Sequence, residues 1–134
     1  MPEYNSWGVS YSIISFFGRA LEGHDKVRSF ERRNDIHFVI EHAKGRTLNV
    51  LLLDEYCLGL ATVLRAKADF PDVDYVVTGG NWNGYTPEAK EYGRKNGIGI
   101  FNTGEFFGAL NWSHPKRYYR KDRNGKPIYA YKNP

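Results

Sequence analysis

The chain has a single cysteine, Cys57, in 134 residues. One thiol closes no internal disulfide, and no Cys/His cluster has the spacing of a zinc site. Cys57 itself reads as a small buried helix residue. Long hydrophobic runs are also missing: none approaches the roughly 20 residues that cross a bilayer. The opening MPEYNSWGVS lacks the basic-then-apolar layout of a secretory signal. These absences argue against a disulfide-stapled or membrane-spanning protein and lead us to expect a cytoplasmic one. Neither G-x-G-x-x-G nor G-x-x-x-x-G-K-[ST] occurs, so neither a dinucleotide site nor a P-loop is indicated. No Ser/His/Asp or Cys/His constellation is legible, and there is no internal repeat or low-complexity linker.

Aromatic residues are plentiful, at 16% of the chain. Positive charge is concentrated near one end. From position 113 to 134 there are seven Lys or Arg against one acid, whereas the remainder holds twelve basic and fourteen acidic residues. The sequence therefore divides into an α/β body over 1–112 and a basic, tyrosine-rich appendage over 113–134. Such asymmetry points to an acidic partner, nucleic acid first, or to a solubilising tail.

Apolar spacing over SYSIISFFGRALE predicts a first helix from about Ser10 to Glu22, stopped by Gly23. A polar stretch follows, and then the alternation of DIHFVIEH reads as a half-buried strand. After an AKGR turn, the near-continuous apolar run in LNVLLLDEY reads as a central strand buried on both faces. A helix is expected from Cys57 to Asp69. VDYVVTGG is a strand entering a glycine turn, and TPEAKEYGRKNG is a helix capped by Thr86, with Pro87 in its first turn and Gly97 as its stop. IGIF is another strand, and TGEFFGALN a short helix capped by Thr103. The order is α-β-β-α-β-α-β-α, and its alternating second half calls for parallel strands.

Two further segments carry candidate binding residues. The loop TGGNWNGYTPEA places Gly79, Gly80, Asn81, Trp82, Asn83 and Thr86 between a strand's end and a helix N-terminus, where ligands of open α/β sheets bind. It reads as a phosphate-accepting rim, or as a rigid turn whose Trp82 packs on the core. RYYRKDRNGKPIYAYK carries two aromatic runs around Asn124-Gly125, the strongest short hairpin signal, with Tyr118, Tyr119, Tyr129 and Tyr131 expected as cross-strand neighbours. Pro127 weakens pairing on one edge. Its candidate nucleic-acid contacts are Lys116, Arg117, Tyr118, Tyr119, Arg120, Lys121, Arg123 and Lys126, offering phosphate neutralisation and base stacking.

The phrases VVTGG, YTPEAKEYG, IGIF and TGEFFGAL, over residues 73–110, resemble the C-terminal half of the Mrr-type restriction endonuclease domain, a branch of the PD-(D/E)XK nuclease superfamily. That resemblance implies a three-layer restriction-endonuclease-like core with a mixed central sheet, to which the appendage adds a C-terminal β-hairpin. It also implies Mg²⁺ held by an acid on the first core strand and an acid-x-Lys on the next, often with a Glu from the first helix. Asp35 and Asp54 are the metal-ligand pair, although the most direct alignment of DIHFVIE puts His37 in place of the first acid. Glu55 stands beside Asp54, Glu22 is the helix acid, and Lys67 or Arg65 would replace a lysine that LLLDEY lacks.

Each of these residues has a plainer role open to it. Asp54 can cap the following helix, Glu55 can sit solvated in its first turn, Asp35 can solvate a strand end, and His37 can be a hydrogen-bonded sheet histidine. The resemblance implies a divergent metal-dependent nuclease, or a relative that kept the fold and lost the chemistry, in a restriction or phage-defence setting. Two other classes stand beside it. One is a Rossmann-like or flavodoxin-like nucleotide sensor using Asn81, Trp82, Asn83 and Thr86, for which the sheet would be wholly parallel. The other is an interaction subunit, within a larger complex or a homo-oligomer, anchored by the tail tyrosines.

Overall fold

A computed structural model describes residues 7–133. Helix α1 (Tyr11–Glu22) starts at Ser10, whose hydroxyl accepts from Ile13 N–H, and buries Ile14, Phe17 and Leu21 on one face. That three-and-four spacing is what a core-facing helix needs. Three antiparallel strands follow: β1 (Val27–Arg33), β2 (His37–His42) and β3 (Thr47–Leu53). The chain continues through β4 (Cys57–Leu58), α2 (Leu60–Asp69), β5 (Tyr75–Thr78), β6 (Gly84–Tyr85), α3 (Pro87–Asn96), β7 (Gly99–Asn102) and α4 (Thr103–Ala109). A 3₁₀ turn (Pro115–Arg117) leads to the short hairpin strands β8 (Arg120–Lys121) and β9 (Pro127–Ile128).

The main sheet has the order β1-β2-β3-β5-β7, with β3, β5 and β7 parallel. The protein is therefore a mixed α/β domain, and its sheet is not the wholly parallel one that a flavodoxin-like sensor requires. Register sorts the side chains onto two faces. Phe38, Val50 and Tyr75 share one, and Phe17 of α1 and Phe106 of α4 close over it, with Phe17 at 5.0 Å from Phe38 and Phe106 at 5.7 Å from Tyr75 between ring centroids. His37, Leu51, Val76 and Ile100 share the other, towards α2 and α3. On that side Gly93 lets α3 approach so closely that a Cβ there would lie 2.5 Å from Ile98 O and 2.6 Å from Ile100 Cγ1.

Several expectations need correction. The polar stretch before β2 is itself a strand, β1, an edge strand in which only Val27 and Phe30 are half-buried, so its charges hide the alternation. Asp35 is not on a strand: it and Asn34 form the β1–β2 turn with φ of 65° and 47°. Asn and Asp are the non-glycine residues that tolerate that region best. Cys57 lies in β4, half-buried, and the helix after it begins at Leu60. The cap of α4 is Asn102, with Thr103 its first residue.

The expected turn forms at Asn124-Gly125, with Asp122 Oδ1 accepting from Asn124 N–H and Lys126 N–H. Yet only Arg120↔Ile128 and Lys121↔Pro127 pair, so the four tyrosines lie beyond the rungs. Among the described residues no helix is long and apolar enough to cross a membrane.

Candidate nucleic-acid interface

The residues proposed for metal chemistry are placed at separate points. Asp54 leaves the C-terminal end of β3, exposed, and accepts from Asn83 Nδ2 at 3.0 Å. Asp35 sits in the neighbouring turn, its side chain 62% exposed and paired with Arg32 at 3.3 Å. Glu55 is half-buried and contributes its backbone, donating N–H to Thr78 Oγ1 at 2.9 Å and accepting from the same hydroxyl at 2.6 Å. Glu22 is exposed at the end of α1 and borders a different hollow, with Arg19 and Arg32.

Lys67 is at the other end of the sheet. Its Nζ donates to Pro71 O at 2.6 Å and Val73 O at 3.1 Å in the loop entering β5. The next residue, Asp74, donates N–H to Asn49 O, five positions before Asp54. That is roughly 16 Å along an extended strand, beyond the reach of a lysine. Arg65 pairs with Asp69 and stacks on Trp7, 3.8 Å from the ring centroid. On the strands themselves, His37 bonds Asn49 Oδ1 at 3.0 Å and faces Leu51. Among the described residues no three His, Cys, Asp or Glu side chains converge. Two carboxylates at one sheet end, one held by an arginine and one by an amide, with the lysine at the opposite end, do not fit the Mg²⁺ arrangement that the resemblance implies.

The loop from Gly79 to Thr86 is pinned from below. Asn83, only 2% exposed, donates to Asp54, to Thr78 Oγ1 and to Gly79 O, while its own carbonyl accepts from Asn102 Nδ2 at 3.2 Å. Thr86 caps α3 by accepting from Ala89 N–H at 3.1 Å. Gly80 has φ of 84° and lies under the Trp82 indole, 2.7 Å from where a Cβ would stand. Gly80, Asn81 and Trp82 border a hollow that Gly79, Asn83 and Thr86 do not line. It is about 180 Å³, shared with Ile13, Phe16 and Thr103, and more apolar than a phosphate rim would be. Trp82 is 64% exposed and does not pack on the core.

The C-terminal segment is docked on the body. Tyr85 N–H donates to Ala130 O at 3.0 Å, Lys132 N–H to Tyr85 O at 2.9 Å, and Ala130 N–H to the Tyr85 hydroxyl at 3.1 Å. That hydroxyl donates to Glu105 Oε2 at 2.8 Å, and Glu105 Oε1 accepts from Asn102 N–H in a capping box. Tyr118 sits edge-on to Phe101 and Trp112, and Tyr129 hydrogen-bonds Arg94. Tyr118, Tyr119 and Tyr129 are thus half-buried against the domain instead of facing outward, and Tyr131 is 44% exposed.

Between this segment and α3 lies a cleft of about 460 Å³. Lys116, Arg117, Tyr118 and Tyr119 form one wall, Lys90 and Arg94 the other, and among the described residues no carboxylate lines it. No protein-family model, curated protein or solved structure matches the chain. Four of the eight tail residues expected to meet nucleic acid are in the cleft, whereas Arg120 lies by Gly104 and Asn81, and Lys121, Arg123 and Lys126 are exposed on the hairpin.

Lys90 and Arg94 escaped the sequence reading. The available signal was their i, i+4 spacing on the face that carries Gly93, which places them beside β7. Lys90 is 5% exposed, its Nζ donating to Ile100 O at 2.6 Å on the sheet's edge strand and lying 4.2 Å from the Phe101 ring centroid. Burial pulls its pKa from 10.5 to about 8, opposed by attraction to Glu105 and aided by Arg94. Tyr85 and Tyr129 also face it.

The folded chain thus sheds this proton at lower pH than the unfolded chain, so the unfolded state holds more protons between about pH 8 and 10.5 and stability rises with pH there. Burial raises the phenol pKa values of Tyr75 and Tyr85 above 10, so they act in the opposite direction once unfolded tyrosines ionise. Denaturant unfolding is expected to show stability climbing by about 1–3 kcal/mol from pH 8 to 10 and falling beyond. Lys90→Met should flatten the climb, and a climb unchanged in that variant would remove Lys90 as its source.

Proposed function

We propose that the chain is a nucleic-acid-binding domain of restriction-endonuclease-like architecture that does not cleave. The observation carrying this reading is the cleft in which Lys90, Arg94, Lys116 and Arg117 meet Tyr118 and Tyr119 with no carboxylate among them. Cations neutralise phosphates, and aromatic rings beside them take unstacked bases. The architecture is supported by α1 ahead of an antiparallel β1–β3 meander that continues into parallel β5 and β7, together with the phrases over 73–110. Loss of cleavage is supported by the separation of Asp35 and Asp54 from Lys67, which is tied to carbonyls at the other end of the sheet. A restriction or phage-defence setting accompanies the resemblance. Tyr118 and Tyr119, half-buried, border the cleft, which suits a ligand held within it better than a partner subunit anchored on them.

The test is binding of labelled single-stranded and duplex DNA and RNA over a range of salt, with a parallel incubation in Mg²⁺ or Mn²⁺. Salt-sensitive binding with a log-log slope of about −2 to −3, from three or four phosphate contacts on a single strand, is expected. The nucleic acid should remain intact. Absence of salt-sensitive binding would overturn the nucleic-acid reading, and metal-dependent cleavage abolished by Asp54→Ala would overturn the non-cleaving one.

A further inference from the structure

Resting on that reading, we infer that the cleft is a receptor for the phosphorylated end of a single strand: one terminal nucleotide whose phosphate monoester meets Lys90 and Arg117. Size is the first argument. At about 460 Å³ the cleft lies within the range of pockets for one small ligand, roughly 300–1,000 Å³, which suits a nucleotide. A B-form duplex is read by elements that protrude into a groove about 12 Å wide, and these cations line a hollow.

Charge is the second argument. Two of the four cations already have acid partners outside the cleft: Lys116 lies 3.6 Å from Asp74 and Arg94 lies 3.8 Å from Glu91. Lys90 and Arg117 have no ion-pair partner among the described residues. Glu105 attracts Lys90 from a distance, but it forms no ion pair with it and does not border the cleft. Two cations thus border the cleft without an acid in contact with them. A phosphate monoester carries between one and a half and two negative charges near pH 7, and an internal phosphodiester carries one. The cleft opens beside the C-terminal end of α3, whose partial negative charge is offset by Arg94 and Lys95 in its last turn.

The third argument is depth. Lys90 Nζ donates to Ile100 O and otherwise meets the faces of the Phe101, Tyr85 and Tyr129 rings, so two of its three donors have no oxygen acceptor among the described residues. A compact, highly charged phosphate suits so buried a cation, and Tyr119, half-buried on the opposite wall, offers an aromatic surface to the attached base.

The experiment uses the full chain and short oligothymidylates carrying a 5′-phosphate, a 3′-phosphate or hydroxyls at both ends, read by fluorescence anisotropy. Thymidine, thymidine monophosphate and inorganic phosphate serve as competitors. One phosphorylated end is expected to bind at least about tenfold tighter than the hydroxyl-ended strand, the scale of one charge-assisted contact. The monophosphate should compete where thymidine does not. Arg117→Gln, an exposed position where folding is not at stake, and Lys90→Met should each bring the preference close to one. Equal binding of all three strands with salt sensitivity intact would overturn the end-recognition inference and leave the domain reading standing, whereas no binding of any strand would overturn both. Competition by inorganic phosphate as strong as by the monophosphate would overturn the assignment to a nucleotide.

Discussion

A chain ending at Trp112 is expected to lose its cooperative fold at 25 °C. The segment beyond it supplies both backbone partners of Tyr85 and the donor to its hydroxyl. It also covers Tyr85, which is fully buried, and places Tyr118 against Phe101. Three hydrogen bonds at about 1 kcal/mol each and the uncovering of two large rings at about 1.5–3 kcal/mol each come to about 6–9 kcal/mol. A domain of this size has only about 5–15 kcal/mol in total. Gly84→Ala asks the same question with one methyl, because a Cβ there would overlap the Ala130 carbonyl. Circular dichroism melts should show the truncated chain without a transition and Gly84→Ala melting well below the parent. A truncated chain with a parental melt would show that the appendage is an independent tail.

Nearly as large an effect is expected from Glu105→Ala. This carboxylate is 2% exposed and joins three elements, accepting from Tyr85 of β6 and from Asn102 at the junction of β7 and α4. Its removal leaves the Tyr85 hydroxyl and the Asn102 N–H without their buried partner and opens a small cavity. The expected cost is about 3–5 kcal/mol in urea unfolding. Glu105→Gln keeps one acceptor and should lose about 1–2 kcal/mol. If the alanine variant lost no more than the glutamine one, the network would not be what fixes β6 to α4.

These two predictions depend on features of unequal legibility in the sequence. The apolar spacing of α1, the alternation of DIHFVIEH and the punctuation of TPEAKEYGRKNG each express a local rule, and each element is present with bounds close to those expected. Strand β1 was hidden because an edge strand needs few apolar residues. The role of Asn102 as cap was hidden because Thr103, also a good cap, adjoins it.

The cleft was only half legible. Seven cations in the tail raise the expectation of an anion partner, but which of them converge depends on Tyr85 pairing with residue 130, a contact 45 positions away in the chain. Lys90 gave no signal of its burial, since a lysine in KEYGRK looks like any solvated helix residue until Gly93 draws that face onto β7. The carboxylates misled for a related reason. Asp35 and Asp54 do lie near one end of the sheet, yet nothing local reveals that Lys67 is tied to carbonyls at the other end.

The central claim, that nucleic acid binds at the cleft and is not attracted merely by overall charge, is tested most directly by comparing two charge-matched double variants. Lys116→Glu with Arg117→Glu reverses two charges in the cleft, and Arg28→Glu with Lys44→Glu reverses two exposed charges away from it. The quantity to measure is the slope of log affinity against log salt on single-stranded DNA. The cleft pair should flatten it by about 0.7 to 1.4, one contact for Arg117 and a second where phosphate draws Lys116 away from Asp74, at about 0.7 each, while the distant pair leaves it unchanged. Equal flattening in both, or none in the cleft pair, would contradict the account.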